Sequence, residues 1–162
     1  MRQRYTVSMA NEDGKTAENE LRKTLAEVLS SQDFGVLATH GEGQPYCSLI
    51  GFAALPDFTS IVFATMRSTR KFGNLKADPR AAIMIDTRAN GATDLQEAIA
   101  VTALGEAHEV SKTARNRYLR YYLDKHSDLA DFIMSPDCAL LCMRVRKYVI
   151  VQRFQEVAEL NL

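Results

Sequence analysis

The chain has 162 residues, enough to bury one core and too few for two comfortable domains. Hydrophobic residues make up 46% and charged residues 25%, and 20 basic side chains balance 20 acidic ones. That balance argues against nucleic acid or an anionic membrane as the main partner, since both call for a basic surplus.

Residues 1–14 are polar and aperiodic, which suggests a mobile N-terminal segment before a single domain spanning 15–162. Met1-Arg2-Gln3-Arg4-Tyr5 leads into no signal-type apolar run, and no stretch has the length of a membrane span, so a cytoplasmic protein with no membrane partner is expected. From Thr16 to about Ser31, Leu21, Leu25, Val28 and Leu29 share one face of a helix, and Glu18, Arg22, Lys23 and Glu27 share the other. Phe34 to Thr39 reads as a strand, His40 to Pro45 as a turn, and Tyr46 to Ala54 as its hairpin partner. Leu55 to Thr59 breaks the pattern, and Ser60 to Ala64 begins a third strand.

The next stretch carries the chemistry. Met66-Arg67-Ser68-Thr69-Arg70-Lys71 is polar and basic, and Phe72 and Leu75 then continue at helical spacing until Asp78-Pro79 stops the helix. A helix N-terminus leaves backbone N–H groups unpaired and carries the positive end of the macrodipole, so it attracts anions. Ser68 and Thr69 add hydroxyls, and Arg67, Arg70 and Lys71 add charge. Two readings stand: a phosphate site, or a solvated basic turn that only caps a helix.

Ala81 to Ile85 is a fourth strand, Asp86 to Gln96 an extended loop, and Ala98 to Val110 a fifth strand in which Gly105 marks a bulge or bend. Ser111 to Lys125 is helical, with Tyr118, Tyr121 and Tyr122 on its less polar side as core or interface packing, and Ser127 to Ile133 forms a shorter helix. Two closing strands, Ala139 to Val145 and Tyr148 to Phe154, are separated by Arg146-Lys147. Short antiparallel strands with flanking helices indicate a small barrel or a curled α+β sheet. Cys47, Cys138 and Cys142 are odd in number and lack CxxC spacing, so reduced thiols are expected. His40, His108 and His126 are scattered, with no metal-binding face, and each is read as a satisfied or exposed histidine.

Three segments together resemble the pyridoxamine 5'-phosphate oxidase-like family of FMN-binding split β-barrels, over about residues 20–156. They are Gly43-Gln44-Pro45-Tyr46, Phe63-Ala64-Thr65 with Thr69-Arg70-Lys71, and Asn74 to Arg80. The resemblance implies a mainly β split barrel with flanking helices and an FMN cofactor. It places Ser48, Leu49, Ile50 and Gly51 along the flavin, and Thr65, Thr69, Arg70 and Lys71 at its phosphate, where Ser68 also lies. It further implies a homodimer with the flavin at the subunit interface. The loop from Asp86 to Asp94 is expected to border that pocket, in one subunit or from the other, through Arg88 and Asn90; a bare connection that turns at Asn90-Gly91 is the other reading.

The vitamin-B6 oxidases of this family carry an arginine where this chain has Ser48, and an Arg-x-His motif absent from Val149-Ile150-Val151-Gln152-Arg153. Pyridoxamine phosphate is therefore not the expected substrate. An FMN-dependent oxidoreductase with a small-molecule substrate or electron donor is the first expectation, with no catalytic side chain assigned. A non-catalytic flavin- or haem-binding module is the second, and an interaction domain whose basic turn binds nothing is the third.

Overall fold

In a computed structural model, residues 4–6, 12–153 and 156–162 are described. Eight strands form one sheet in the order β1-β8-β7-β4-β3-β2-β5-β6, and β6 pairs back onto β7. The six strands from β7 round to β6 thereby close an antiparallel barrel. They are β2 (Phe34–Gly41), β3 (Gln44–Ala54), β4 (Ser60–Met66), β5 (Arg80–Asp86), β6 (Ala100–Glu109) and β7 (Cys138–Gln152). β8 (Glu156–Asn161) and β1 (Arg4–Thr6) extend from the second half of β7 outside that closure, with β1 parallel to β8.

Period-two burial explains the barrel. Leu37, Ile50, Phe52, Ile61, Phe63, Ile83, Ile85, Val101 and Ala103 face inward and are buried. The β2–β3 hairpin turns on Glu42 and Gly43, with φ of 52° and 79°, the positive pair that a tight two-residue hairpin requires and that glycine adopts without strain. Helix α1 (Glu12–Ser31) closes one opening of the barrel with Leu21, Leu25, Val28 and Leu29, each worth about 1.5–3 kcal/mol when fully buried. Helix α2 (Arg70–Ala77) packs on β2 and buries Leu75. Helices α4 (Arg115–Lys125) and α5 (Ala130–Met134) cover the outer face of β3, β4 and β7, where Tyr122, Ile133, Val62, Ala53 and Leu140 form a second cluster.

Four expectations are corrected or extended. Arg146-Lys147 does not separate two strands. β7 runs through it, because neither residue favours the backbone of a tight turn and Arg146 is absorbed as an extra residue: Leu104 pairs with Lys147, and Gly105 with Val145. The bend falls at Gly105, where a Cβ would lie 2.0 Å from the Arg144 carbonyl oxygen, so no side chain fits. The last strand is Glu156–Asn161, a segment not read as a strand from sequence. Within the loop after β5, Asp94–Glu97 forms a short helix, α3, rather than extended chain. Of the N-terminal segment expected to be mobile, Arg4–Thr6 is paired and α1 begins at Glu12; residues 1–3 and 7–11 lie outside the described residues.

Candidate functional site

The basic turn joins β4 to α2 at one end of the barrel. Thr69 is the N-cap of α2, with φ −82° and ψ 150°, yet its side chain makes no capping bond. Its hydroxyl donates backward to the Met66 carbonyl at 2.8 Å. That fixes the second contact: at 3.0 Å, Thr65 Oγ1 donates to Thr69 Oγ1. Both threonine protons are thus used inside the turn, and both oxygens can offer an incoming group only lone pairs. The first backbone N–H groups of α2, at Arg70, Lys71 and Phe72, have no helical acceptor. Ser68 and Arg70 are exposed and Lys71 is half-buried beside them.

Two contacts fix the surroundings. The Arg70 guanidinium lies over the Tyr46 ring, 4.9 Å from its centroid. Asn74, one turn further along α2, donates to Thr39 Oγ1 at 3.0 Å and ties the helix to β2. Tyr46 and Asn74 both stand in segments that carry the family resemblance, but the sequence assigns neither a role at the site. The available signal was their spacing: Tyr46 is two residues from Ser48 on the same strand face, and Asn74 is one helical turn from Arg70.

Ser48 Oγ is buried and has no hydrogen-bond partner among the described residues. A buried hydroxyl without a partner costs about 1–3 kcal/mol, which calls for an acceptor or donor from outside the chain. The alternation of β3 divides the remaining strand candidates. Ile50 points into the core, while Leu49 is 66% exposed on the outer face and Gly51 lies there beneath His126. The side chains of Ser48 and Leu49 therefore cannot meet one ligand surface from the same side of the sheet. Arg88 and Asn90 sit in the loop after Asp86, at the end of β5 away from Arg80 and α2. There Arg88 pairs with Asp86 at 3.1 Å, and Asn90 takes a φ of 61° at the turn. One chain does not bring them to Thr69, Arg70 and Lys71.

The other titratable groups are occupied structurally. Arg67 does not join Arg70 and Lys71: its guanidinium is bound to the Pro136 and Cys138 carbonyls and to Glu109. His126 is buried, and its Nε2 donates to the Phe52 carbonyl at 2.9 Å, while His40 and His108 are exposed. The cysteines are free. Burial pushes the Cys138 and Cys142 thiols up, away from thiolate chemistry, and Cys47 is exposed. Among the described residues, no group of three or more His, Cys, Asp or Glu could hold a metal ion, and no helix is long and apolar enough to cross a membrane.

A recess of about 310 Å³ lies behind the turn, against Arg67, Glu109 and Pro136, and two others lie elsewhere. One of about 260 Å³ sits behind α2, against Phe72, Leu75 and His108. One of about 490 Å³ opens between α1 and α4, against Leu29, Leu55, Phe58 and Lys125. The anion cradle of Ser68 to Lys71 is a surface of the barrel rather than an enclosed cavity.

A split antiparallel barrel with a basic helix N-terminus at the mouth of β4 defines the class of fold. The family model of pyridoxamine 5'-phosphate oxidase matches residues 21–152, and the chain belongs to that family. No curated protein sequence matches it. Among solved structures, the chain is similar to a haem-binding protein from Mycobacterium smegmatis, with TM-score 0.75 and 23% identity over 86% of this chain and 56% of that one. It is similar to Campylobacter jejuni ChuZ, with TM-score 0.75 and 16% identity over 96% of this chain and 70% of that one. It is also similar to a FAD-binding protein from Mesorhizobium loti, with TM-score 0.65 and 18% identity over 79% of this chain and 90% of that one. The chain spans just over half the length of the mycobacterial protein. At these identities the likeness is one of fold.

Proposed function

We propose that the protein binds FMN and acts as an FMN-dependent oxidoreductase on a small molecule other than pyridoxamine 5'-phosphate. The carrying observation is the N-terminus of α2: an N-cap without a side-chain cap, followed at once by Arg70 and Lys71, in a chain of the pyridoxamine 5'-phosphate oxidase family. The buried, unpartnered Ser48 hydroxyl fits the same group, as a contact for a polar oxygen of the bound molecule. Arg70, Lys71, Ser68 and the first N–H groups of α2 would hold the phosphate. Tyr46 orients Arg70, and Asn74 holds α2 against β2. Bound there, FMN supplies hydride or electron transfer.

The cradle is open, so a second copy of the chain is the proposed cover, making a homodimer with the flavin between subunits. Supporting this, the outer face of β2 and β3 exposes Phe34 at 61% and Leu49 at 66%, apolar surface that α4 and α5 leave uncovered.

A haem-binding module is the second reading, supported by the name of the mycobacterial protein with this fold. The absorbance spectrum of the purified protein decides between them. A flavin spectrum bleached by NAD(P)H without oxygen is the expected result. A Soret band would favour haem, a flavin that no donor reduces would leave a carrier, and a colourless protein that takes up neither would refute cofactor binding.

A further inference from the structure

The residue that makes the basic turn a site is one that does not face the anion. The Arg67 backbone N–H donates to the Asp137 carbonyl at 2.9 Å. Its Nη1 donates to the Pro136 carbonyl at 2.7 Å and the Cys138 carbonyl at 3.1 Å, and its Nη2 binds the Glu109 carboxylate. Four acceptors on two separate segments, 136–138 and the end of β6, thus hold the residue that opens the turn. The β4–β7 ladder ends at the same place, with Met66 opposite Cys138. Beyond it the chain must leave the sheet, pass through Ser68 and Thr69, and enter α2 with its N–H groups aimed outward.

Among the described residues, the other contact reaching across from this region is Arg70 over the Tyr46 ring, which holds the helix start and not the residues before it. The bonds of Thr65, Met66 and Thr69 are local to the turn, and Asn74 anchors α2 one turn later. A backbone anion cradle works only if its N–H groups already point the same way, because each residue left to be ordered by the ligand subtracts conformational entropy from binding. Resting on the FMN reading above, we infer that Arg67 is a positioning residue: it fixes the geometry of the phosphate-binding turn from behind and gives no charge to the phosphate.

The chemistry of the residue suits this. Two carbonyls and a carboxylate in different directions need the planar fork of a guanidinium, whereas an ammonium on a flexible stem offers no such fixed arrangement. Glu109 neutralises the Arg67 charge locally. The positive field at the mouth of α2 is then that of Arg70, Lys71 and the helix itself. Arg67 remains 41% exposed, so its replacement need not unfold the barrel.

The test compares the full-length protein with R67Q and R67K, measuring FMN affinity at several ionic strengths, riboflavin affinity, and the thermal midpoint of the apoprotein. Expected for R67Q is a loss of FMN affinity of about tenfold, corresponding to one lost constraint. R67K, which keeps the charge that Glu109 neutralises, should match wild type in its dependence on ionic strength, because the net charge behind the turn is unchanged. Riboflavin, which lacks the phosphate, should bind both proteins alike. R67K keeps the charge but not the fork, and its FMN affinity should also fall. R67Q with wild-type FMN affinity, R67Q with an equal loss for riboflavin, or R67K with a flattened salt dependence would each overturn the assignment. R67K with wild-type affinity would overturn it too, even if R67Q failed to fold. A wild-type protein that binds no FMN would instead overturn the cofactor reading on which it rests.

Discussion

Arg70 is held over Tyr46, its guanidinium 4.9 Å from the ring centroid, although the two residues belong to different elements, α2 and β3. A long cation stacked on a ring has fewer rotamers to lose when an anion arrives, so the contact stabilises the helix start and, on the proposed FMN reading, would prepare Arg70 for the phosphate. Replacing both Arg70 and Lys71 with alanine should remove charge-assisted bonds worth about 1.5–3 kcal/mol each, a loss of at least about tenfold in FMN affinity apiece. Tyr46→Leu, which leaves both charges in place, should cost only about 0.5–1 kcal/mol of binding. Isothermal titration with FMN checks both, and an unchanged double mutant would remove these cations from the site.

Two buried tyrosines set an alkaline limit. Burial raises the Tyr122 phenol from its ordinary 10.0 to about 12, and burial likewise raises Tyr148, whose hydroxyl donates to the Phe58 carbonyl at 2.8 Å. The unfolded chain releases these protons at a lower pH than the folded one. Their contribution to stability is complete below pH 10 and is lost as the pH rises toward 12. Urea midpoints measured from pH 9 to 12 should fall across that window, and Tyr122→Phe, which removes one of the two groups, should flatten the fall. A variant that tracks wild type throughout would show that Tyr122 ionises freely.

Gly105 is the hinge of the barrel, and a methyl group there has nowhere to go. The obstruction is the Arg144 backbone carbonyl, 2.0 Å from the Cβ position, rather than the movable end of a side chain. Gly105→Ala should therefore force β6 and β7 apart at the bulge and destabilise by about 3 kcal/mol, the upper end of ordinary overpacking costs. Chemical denaturation gives the value. A midpoint equal to wild type would mean that the bulge relaxes without cost.

The hairpins and the basic turn were legible in the sequence because glycine, proline and short polar runs punctuate them, as at Gly43-Gln44-Pro45 and Asp78-Pro79. The bulge at Gly105 was legible for the same reason, but its counterpart on β7 was not. Arg146-Lys147 looks like a break by polarity alone, yet the strand continues through it: Arg146 is the exposed extra residue of the bulge, and Lys147 is half-buried, paired with Leu104 of β6 and Asn161 of β8. The role of Arg67 could not be read locally either. Beside Arg70 and Lys71 it looks like a third phosphate ligand, and only the fold brings Pro136, Cys138 and Glu109 to it. Ser48 to Gly51 form one run of candidates in the sequence, whereas strand alternation sends neighbouring side chains to opposite faces.

The last prediction concerns that outer face and the loop after β5. Phe34 lies directly opposite Gly51, and Val36 opposite Leu49, so the two exposed apolar side chains share one outward surface of the β2–β3 hairpin. β5 runs antiparallel to β2, with Val36 opposite Met84, so its end at Asp86 carries the Arg88 and Asn90 loop toward the Phe34 end of that surface. The Tyr46 and Arg70 end lies about 17 Å away along β3, at 3.3 Å per residue. A two-fold dimer that packs this face against itself, with the two β3 strands antiparallel, brings the loop end of one copy toward the phosphate end of the other. This is how Arg88 and Asn90 would reach a flavin that their own chain keeps at a distance. Leu49→Arg, an exposed substitution that leaves the barrel interior intact, should yield monomers in light scattering and weaken FMN binding with the dimer. Arg88→Ala should leave the dimer intact and lower FMN affinity by about 1 kcal/mol, the scale of one partly exposed ionic contact. A monomeric wild-type protein that binds FMN, or an Arg88→Ala dimer with unchanged affinity, would separate the loop from the site.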